Sequence, residues 1–239
     1  MKRTIITTAI AVLLLLIPFG VHWAYTTATA LPDEVIFATG PAGGAYRDLA
    51  ESLAQHLKKS HGVDVRFVHT SGSLENVNLL RDGQVDFALA MAVPETNSAR
   101  NADSRISFVA NAYSEVVHVF IRDEVPISRF SDIKSRRIAM GEKGSGNHRM
   151  ARVVLNHCGL READLTPVFC SYSQIIRKLQ QGTVDGAIVT AGLRAPILNQ
   201  AAAAGCRVMS VPFAKALSSR DLLLSDFQIP AGRFQTLPA

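Results

Sequence analysis

The chain has 239 residues, which is enough for one large domain or for two small lobes that each bury a core. Hydrophobic residues make up 48% and charged residues 19% of the sequence, a composition that excludes a disordered chain. The net charge is only +5, and the basic residues are scattered without aromatic residues between them, so no nucleic-acid partner is predicted.

The N-terminal segment, residues 1–30, is predicted to be a targeting segment outside the fold. Lys2 and Arg3 give it a positive start, and residues 5–25 carry no formal charge. The small residues 28–30 fit a cleavage site, which favours a cleaved signal peptide. An uncleaved membrane anchor is the alternative, because the apolar stretch is long enough to span a bilayer when tilted. Either one predicts a periplasmic or otherwise extracytoplasmic location for the rest of the chain.

Residues 31–112 are predicted to form a first lobe. Its order is strand, Gly-rich turn, helix, strand, helix and strand, with the first helix ending near His61. Ser73 is expected to cap the second helix. The polar residues 94–105 are predicted to be a surface loop. The predicted strands are 35–39, 63–68 and 85–91.

The same order recurs in residues 124–211, which are predicted to form a second lobe. Residues 80–92 and 179–191 share Leu, Gly, Val, Asp and Ala in register. Short strands alternating with helices indicate parallel sheets, so the predicted fold class is α/β. The elements predicted for this lobe are strands at 137–140, 166–170, 184–189 and 206–211 and helices at 147–158, 174–181 and 194–204, the last broken early by Pro196.

Residues 113–123 are predicted to be the hinge and crossover between the lobes. The extended segments 106–112 and 116–121 lie between the two copies, where a bilobal protein closes on its ligand. Residues 212–239 are predicted to return toward the first lobe.

Two Gly-rich turns, at 40–44 and 141–146, precede helices at equivalent positions of the two copies. Ligands of parallel sheets bind at such helix N-termini, where free N–H groups and the helix dipole favour anions. Neither turn has the spacing of a P-loop or a Rossmann motif, which argues against nucleotide chemistry. The glycines alone are also compatible with simple tight turns, and the neighbouring hydroxyls with helix caps. The hydroxyl side chains placed beside the turns are Thr39, Ser71, Ser73, Ser145 and Thr190, and Tyr46 either walls the pocket or belongs to the core.

Other chemistry is not indicated by the sequence. Asp86 and Asp185 each follow a Gly turn at the start of a strand, so both are interpreted as acceptors that fix the turn rather than as catalytic carboxylates. No nucleophile–base pair and no zinc-ligand spacing is visible, and neither cofactor nor metal is predicted. The three cysteines, Cys158, Cys170 and Cys206, are expected to be buried free thiols, with a Cys158–Cys170 bridge as the alternative.

Several motifs together resemble the TAXI family, the extracytoplasmic solute receptors of tripartite ATP-independent periplasmic (TRAP) transporters. The motifs are 38–46, 70–76, 79–86, 113–118 and 141–146. The resemblance implies a bilobal type II periplasmic-binding-protein fold that closes on an amino acid or small carboxylate. It also implies a TRAP membrane permease as the partner. The residues assigned to the cleft are Thr39, Gly40, Gly43, Gly44, Tyr46, Ser71, Gly72, Ser73, Met91, Ser145, Gly146 and Thr190.

One departure from the family pattern concerns the C-terminus. The family continues with a further strand and helix after the segment that resembles residues 229–234, so C-terminal elements are expected to be missing. Two alternative functions remain open on the same fold. A membrane-anchored ligand sensor is favoured if residues 5–25 stay uncleaved, and an enzyme would need a nucleophile–base pair in the cleft.

Overall fold

The computed structural model describes residues 2–40, 45–91, 105–221, 224–230 and 232. The predicted loop at 94–105 lies outside these residues except for its last position. The helices are α1 Lys2–Ala28, α2 Ala45–His61, α3 Ser73–Arg81, α4 Gly146–His157, α5 Tyr172–Gln180, α6 Pro196–Ala203 and α7 Ala214–Arg220. The strands are β1 Glu34–Ala38, β2 Asp64–Val68, β3 Phe87–Ala88, β4 Val116–Arg122, β5 Arg137–Ala139, β6 Thr166–Val168, β7 Gly186–Ala191 and β8 Cys206–Met209.

The first sheet has three parallel strands in the order β2-β1-β3, as the pattern of the first lobe predicts. Its central strand, β1, buries Val35 and Phe37. The predicted strand 85–91 shortens to Phe87–Ala88, because only these two residues pair with β1. Because β2 and β3 run parallel to β1, the carboxyl ends of all three strands lie at the same edge of the sheet, next to the residues that follow Ala38.

The second sheet has five strands in the order β6-β5-β7-β4-β8. Strands β5, β6 and β7 are parallel, whereas β4 runs antiparallel to both β7 and β8. The second sheet is therefore mixed rather than purely parallel. Residues 116–122, which the sequence assigns to the hinge, form this antiparallel strand, whereas residues 106–112 form no strand. The boundaries of the lobes stay a prediction.

The second sheet is covered on both faces. Strand β7 shows why: Ala187 and Val189 join one buried cluster, and Ile188 between them joins the other, as the two-residue period of a strand requires. Helices α5 and α6 pack on the first face, and α4 packs on the second. Pro196 is the first residue of α6 rather than a break inside it, because its fixed φ and missing N–H suit the first helical position.

Each lobe has an aspartate directly before its repeated strand. The Asp86 carboxylate accepts a hydrogen bond from the Ile36 N–H at 2.8 Å, and the Asp185 carboxylate accepts one from the Arg137 N–H at 2.9 Å. The Arg137 guanidinium also contacts Asp185 at 2.6 Å and lowers the pKa of that carboxyl. Both aspartates are backbone acceptors as predicted, but each holds the start of the neighbouring strand rather than its own Gly turn.

The chain outside the two lobes is helical at its start. Helix α1 contains Pro18, and its described side chains at 14–27 are exposed. Among the described residues, no helix combines the length and the apolar character needed to cross a bilayer. After the second lobe, Ile229 packs against the core cluster of that lobe. The return of residues 212–239 toward the first lobe stays a prediction.

All three cysteines are free, which agrees with the favoured prediction. Cys170 and Cys206 are buried, whereas Cys158 is partly exposed. Burial raises the pKa of the Cys206 thiol to about 11, so this group stays protonated at neutral pH.

Candidate functional site

A cavity of about 80 Å³ lies between the two lobes, at the carboxyl ends of the parallel strands. Five helices begin at its wall, two from the first lobe and three from the second. Because the first N–H groups of a helix have no partner within that helix, five positive helix ends surround one small space. The wall residues at these helix starts are Tyr46 of α2, Gly72 and Ser73 of α3, Ser145, Gly146 and Asn147 of α4, Ser171 and Tyr172 of α5, and Ala195 and Ile197 of α6.

The two lobes meet directly across this cavity. A Cβ atom built on Gly146 would lie 2.9 Å from the Ser73 Oγ and 3.4 Å from the Met91 Cβ. Gly146 belongs to α4 of the second lobe, whereas Ser73 and Met91 belong to the first. Only the absence of a side chain at position 146 allows this approach, so the two lobes are in direct contact here.

The first turn of α4 is held by two polar side chains. Ser145 is the N-cap, and its hydroxyl accepts a hydrogen bond from the His148 N–H at 3.2 Å. The Asn147 side chain donates to the Ile188 carbonyl at 3.0 Å and accepts from the Thr190 N–H at 2.5 Å, which ties the helix to β7. These contacts fix the backbone of α4 where it faces the cavity.

Ser73 has a different role from the predicted one. Gly72, with φ of 125°, occupies the N-cap of α3 and no side chain caps the helix, so the prediction that Ser73 is the cap is wrong. The Ser73 hydroxyl instead accepts a hydrogen bond from the Met91 N–H at 2.9 Å and contacts the Tyr46 hydroxyl at 3.2 Å. Ser73 therefore connects three segments of the cavity wall.

The residues assigned to the cleft from sequence divide into three groups. Thr39 and Thr190 are 0% and 2% exposed and lie behind the wall, outside the cavity lining. Gly43 and Gly44 lie outside the described residues. The structure brings the remaining eight together around the cavity: Gly40, Tyr46, Ser71, Gly72, Ser73, Met91, Ser145 and Gly146.

Sequence reasoning missed a cluster of one carboxyl group and two tyrosines. Tyr113 and Glu115 come from the segment that connects the lobes, and Tyr172 comes from the start of α5. They line the cavity together with Tyr46, whose ring centroid lies 6.4 Å from that of Tyr113. The sequence does contain one signal for this cluster: within the 113–118 motif, an aromatic residue and a glutamate come directly before a buried strand.

Burial dominates the electrostatics of this cluster. It raises the pKa of Glu115 to about 7, although the neighbouring Tyr113 hydroxyl acts in the opposite direction. Burial and the Glu115 charge also raise the pKa values of Tyr46, Tyr113 and Tyr172, which keeps these hydroxyls protonated as hydrogen-bond donors. The Tyr113 hydroxyl is close enough to the Glu115 carboxyl for each group to change the pKa of the other. Its distances and angles do not form a hydrogen bond with any described residue.

Other residues of the wall are uncharged or acidic. Glu142 is the second carboxylate, and no lysine, arginine or histidine lines the cavity within the described part of the chain. The same part of the chain contains no group of three side chains able to hold a metal ion. The remaining wall residues are Gly141, Cys170 and Ala191.

Solved structures with a similar fold are binding proteins. The alkanesulfonate-binding protein SsuA from Xanthomonas axonopodis pv. citri, bound to MOPS, has 18% identity and a TM-score of 0.56 over 80% of this chain and 64% of that one. An ancestral arginine-binding protein bound to arginine has 16% identity and a TM-score of 0.53 over 74% and 78%. The substrate-binding protein of an amino acid ABC transporter has 14% identity and a TM-score of 0.50 over 78% and 88%.

These likenesses establish the predicted fold class, an α/β fold with the two lobes of periplasmic binding proteins. This chain spans less than two thirds of the length of the SsuA protein. A family model described as the NMT1-like family matches residues 37–233, which is most of the chain and includes both lobes. The chain therefore belongs to the NMT1-like family.

Proposed function

We propose that this protein is an extracytoplasmic solute-binding protein, not an enzyme, that captures a small carboxylate or amino acid between its lobes and delivers it to a membrane transporter. The observation that carries the proposal is the convergence of five helix N-termini on one interlobe cavity. Such ends bind anions without a cationic side chain, and the cavity wall has none among its described residues.

The bound solutes of structural relatives support this class of function. One relative is described as an alkanesulfonate-binding protein and another as bound to arginine. Their ligands each carry an acidic group, which suits a ring of positive helix ends. The positive start and apolar stretch of residues 1–30 support an extracytoplasmic location.

The type of transporter is a separate question with two candidates. The motifs resembling the TAXI family favour a TRAP permease, whereas one structural relative serves an amino acid ABC transporter. The TRAP permease is the partner we propose, because the motif resemblance extends over both lobes. Co-purification of the full chain with the permease subunits of each transporter class, expressed side by side, distinguishes the two.

A thermal-shift screen tests solute binding itself. The full chain is melted with amino acids, dicarboxylates and alkanesulfonates, and with neutral sugars and divalent metal ions as comparison sets. At a concentration of 100 times Kd, a ligand is expected to stabilise the fold by about 2.7 kcal/mol. Stabilisation by sugars or metals alone would contradict anion capture.

A variant with a blocked cavity provides the control for this screen. The side chain of Gly146→Leu would project against Ser73 and Met91, so the variant is expected to fold but to lose the response to every cleft ligand. A ligand that stabilises the variant as strongly as the wild type binds elsewhere, and its shift would not count toward the proposal.

A further inference from the structure

The cavity combines two opposite electrostatic features. Its positive features are the N-terminal ends of the helices, which are built from backbone dipoles. The acidic residues of its wall are Glu115 and Glu142, and no basic residue of the described part of the chain lines the wall beside them. A ligand that is only an anion satisfies the first feature and is repelled by the second.

Glu115 is the carboxyl group that most needs a partner. The Tyr113 hydroxyl interacts with this carboxyl, and the other titratable residues of the cavity wall are Tyr46, Tyr172, Glu142 and Cys170. None of these groups carries positive charge. A buried carboxylate without a cation is costly, which is why burial raises the pKa of Glu115 to about 7.

The aromatic rings add a second preference for a cation. Tyr46 and Tyr113 meet edge to face, and Tyr172 approaches from α5, so three π systems share the wall with Glu115. A ligand ammonium group is attracted both to a carboxylate and to the faces of aromatic rings. The hydroxyl of Tyr172 is already engaged, because it donates to the Thr190 carbonyl at 2.7 Å.

We infer that the cleft recognises zwitterionic amino compounds, with the ligand carboxylate at the helix N-termini and the ligand ammonium at Glu115 within the ring of Tyr46, Tyr113 and Tyr172. This inference rests on the proposed function and narrows it to amino acids over dicarboxylates and sulfonates. It makes Glu115 the residue that determines specificity. Binding of the ammonium group also displaces the proton from Glu115 into solvent, so capture near neutral pH releases a proton.

Matched ligand pairs test the inference by isothermal titration of the full chain. Each pair differs only in the amino group: L-glutamate with glutarate, and L-leucine with 4-methylpentanoate. A site that hydrogen-bonds a polar group of its ligand binds an analogue without that group more weakly by several orders of magnitude. The affinity for the amino acid is therefore expected to be at least about 100-fold higher than the affinity for its analogue. Equal affinities within the pair would overturn the inference.

Two variants separate Glu115 from the other carboxylate of the wall. Glu115→Gln is expected to weaken the amino acid and to reduce the preference within the pair below about tenfold, since the ammonium group loses its charged partner. Glu142→Gln removes the other acidic side chain of the wall. Both members of a pair carry the same carboxylates, so their affinities are expected to change together and the preference within the pair to stay near that of the wild type. Unchanged selectivity in Glu115→Gln, or its loss in Glu142→Gln alone, would refute the role of Glu115.

Proton release gives a measurement that does not depend on how the variants fold. Titrations of the wild type at pH 7 in phosphate and in Tris, which differ in ionisation enthalpy, are expected to show release of a fraction of a proton on amino acid binding. No release would contradict the inference. If dicarboxylates bind well without discrimination, the inference fails while solute capture stands, and if no anion or zwitterion binds, the proposed function fails as well.

Discussion

The raised pKa of Glu115 predicts an unusual dependence of stability on pH. This carboxyl group has a pKa of about 7 in the folded chain against 4.5 as its ordinary value. Between these two pKa values the unfolded chain binds fewer protons than the folded chain, so the free energy of unfolding decreases as the pH rises. The stabilising contribution is complete below 4.5 and is lost by the time the pH passes about 7.

The size of the effect follows from the same two pKa values. Each pKa unit corresponds to 1.36 kcal/mol, so the full loss is about 3 kcal/mol, of which about 2 to 3 kcal/mol falls between about pH 5 and pH 8. Glu115→Gln has no charge to bury and is expected to lack this part of the pH dependence. At pH 8 the ligand-free variant is therefore expected to be more stable than the wild type.

Urea unfolding of the ligand-free full chain at about pH 5 and pH 8 measures the effect. The comparison is the change in unfolding free energy between the two pH values, for the wild type, Glu115→Gln and the control Glu142→Gln. The control is expected to follow the wild type. If the difference in unfolding free energy between the wild type and Glu115→Gln is the same at both pH values, Glu115 does not have a raised pKa.

Three further substitutions test single contacts by urea unfolding. Thr190→Val removes a buried hydroxyl that has no hydrogen-bond partner among the described residues, so stability is expected to stay equal or rise by up to about 1 kcal/mol, and a loss above 1 kcal/mol would contradict this. Gly141→Ala is expected to lose about 1 to 3 kcal/mol, because φ is 82° and the new Cβ would lie 2.6 Å from the Asn147 Nδ2; a neutral result would contradict the tight approach. Asp185→Asn loses the ion pair with Arg137 and about 1 kcal/mol at pH 7. Because this pairing lowers the pKa of Asp185, the stability it provides is lost as the pH falls through that lowered pKa, and a difference that persists at strongly acidic pH would refute the assignment.

Local patterns in the sequence were sufficient to predict most elements of the fold. Apolar periodicity located helix α2 and strand β2, and the repeated Gly-x-Val-Asp motif located the two strand starts at Asp86 and Asp185. The antiparallel direction of β4 was not predictable in this way, because alternation of buried side chains is the same in either direction. Direction depends on where the chain enters the sheet.

The candidate site was predictable only where it is made of local backbone structure. Glycines and hydroxyls before helices indicated the helix N-termini, and Ser145 and Gly146 indeed stand at one of them. Glu115 and Tyr172 meet across segments that are far apart in the sequence, and their chemistry arises from shared burial. No local sequence pattern predicts a contact between segments that are far apart in the sequence. The part of the cavity wall that contains Glu115 and the tyrosines could therefore be identified only from the folded structure.

The contacts of Asp86 and Asp185 lie far from the cavity, and this separation affects which substitutions the fold tolerates. Each lies at the amino end of its parallel strands, where it fixes one strand start to the next, and the cavity lies at the opposite, carboxyl end. The residues that hold the strands in register are thus separate from the residues that line the cavity. Substitutions that reshape the cavity can therefore accumulate at one edge of each sheet while the other edge preserves the fold.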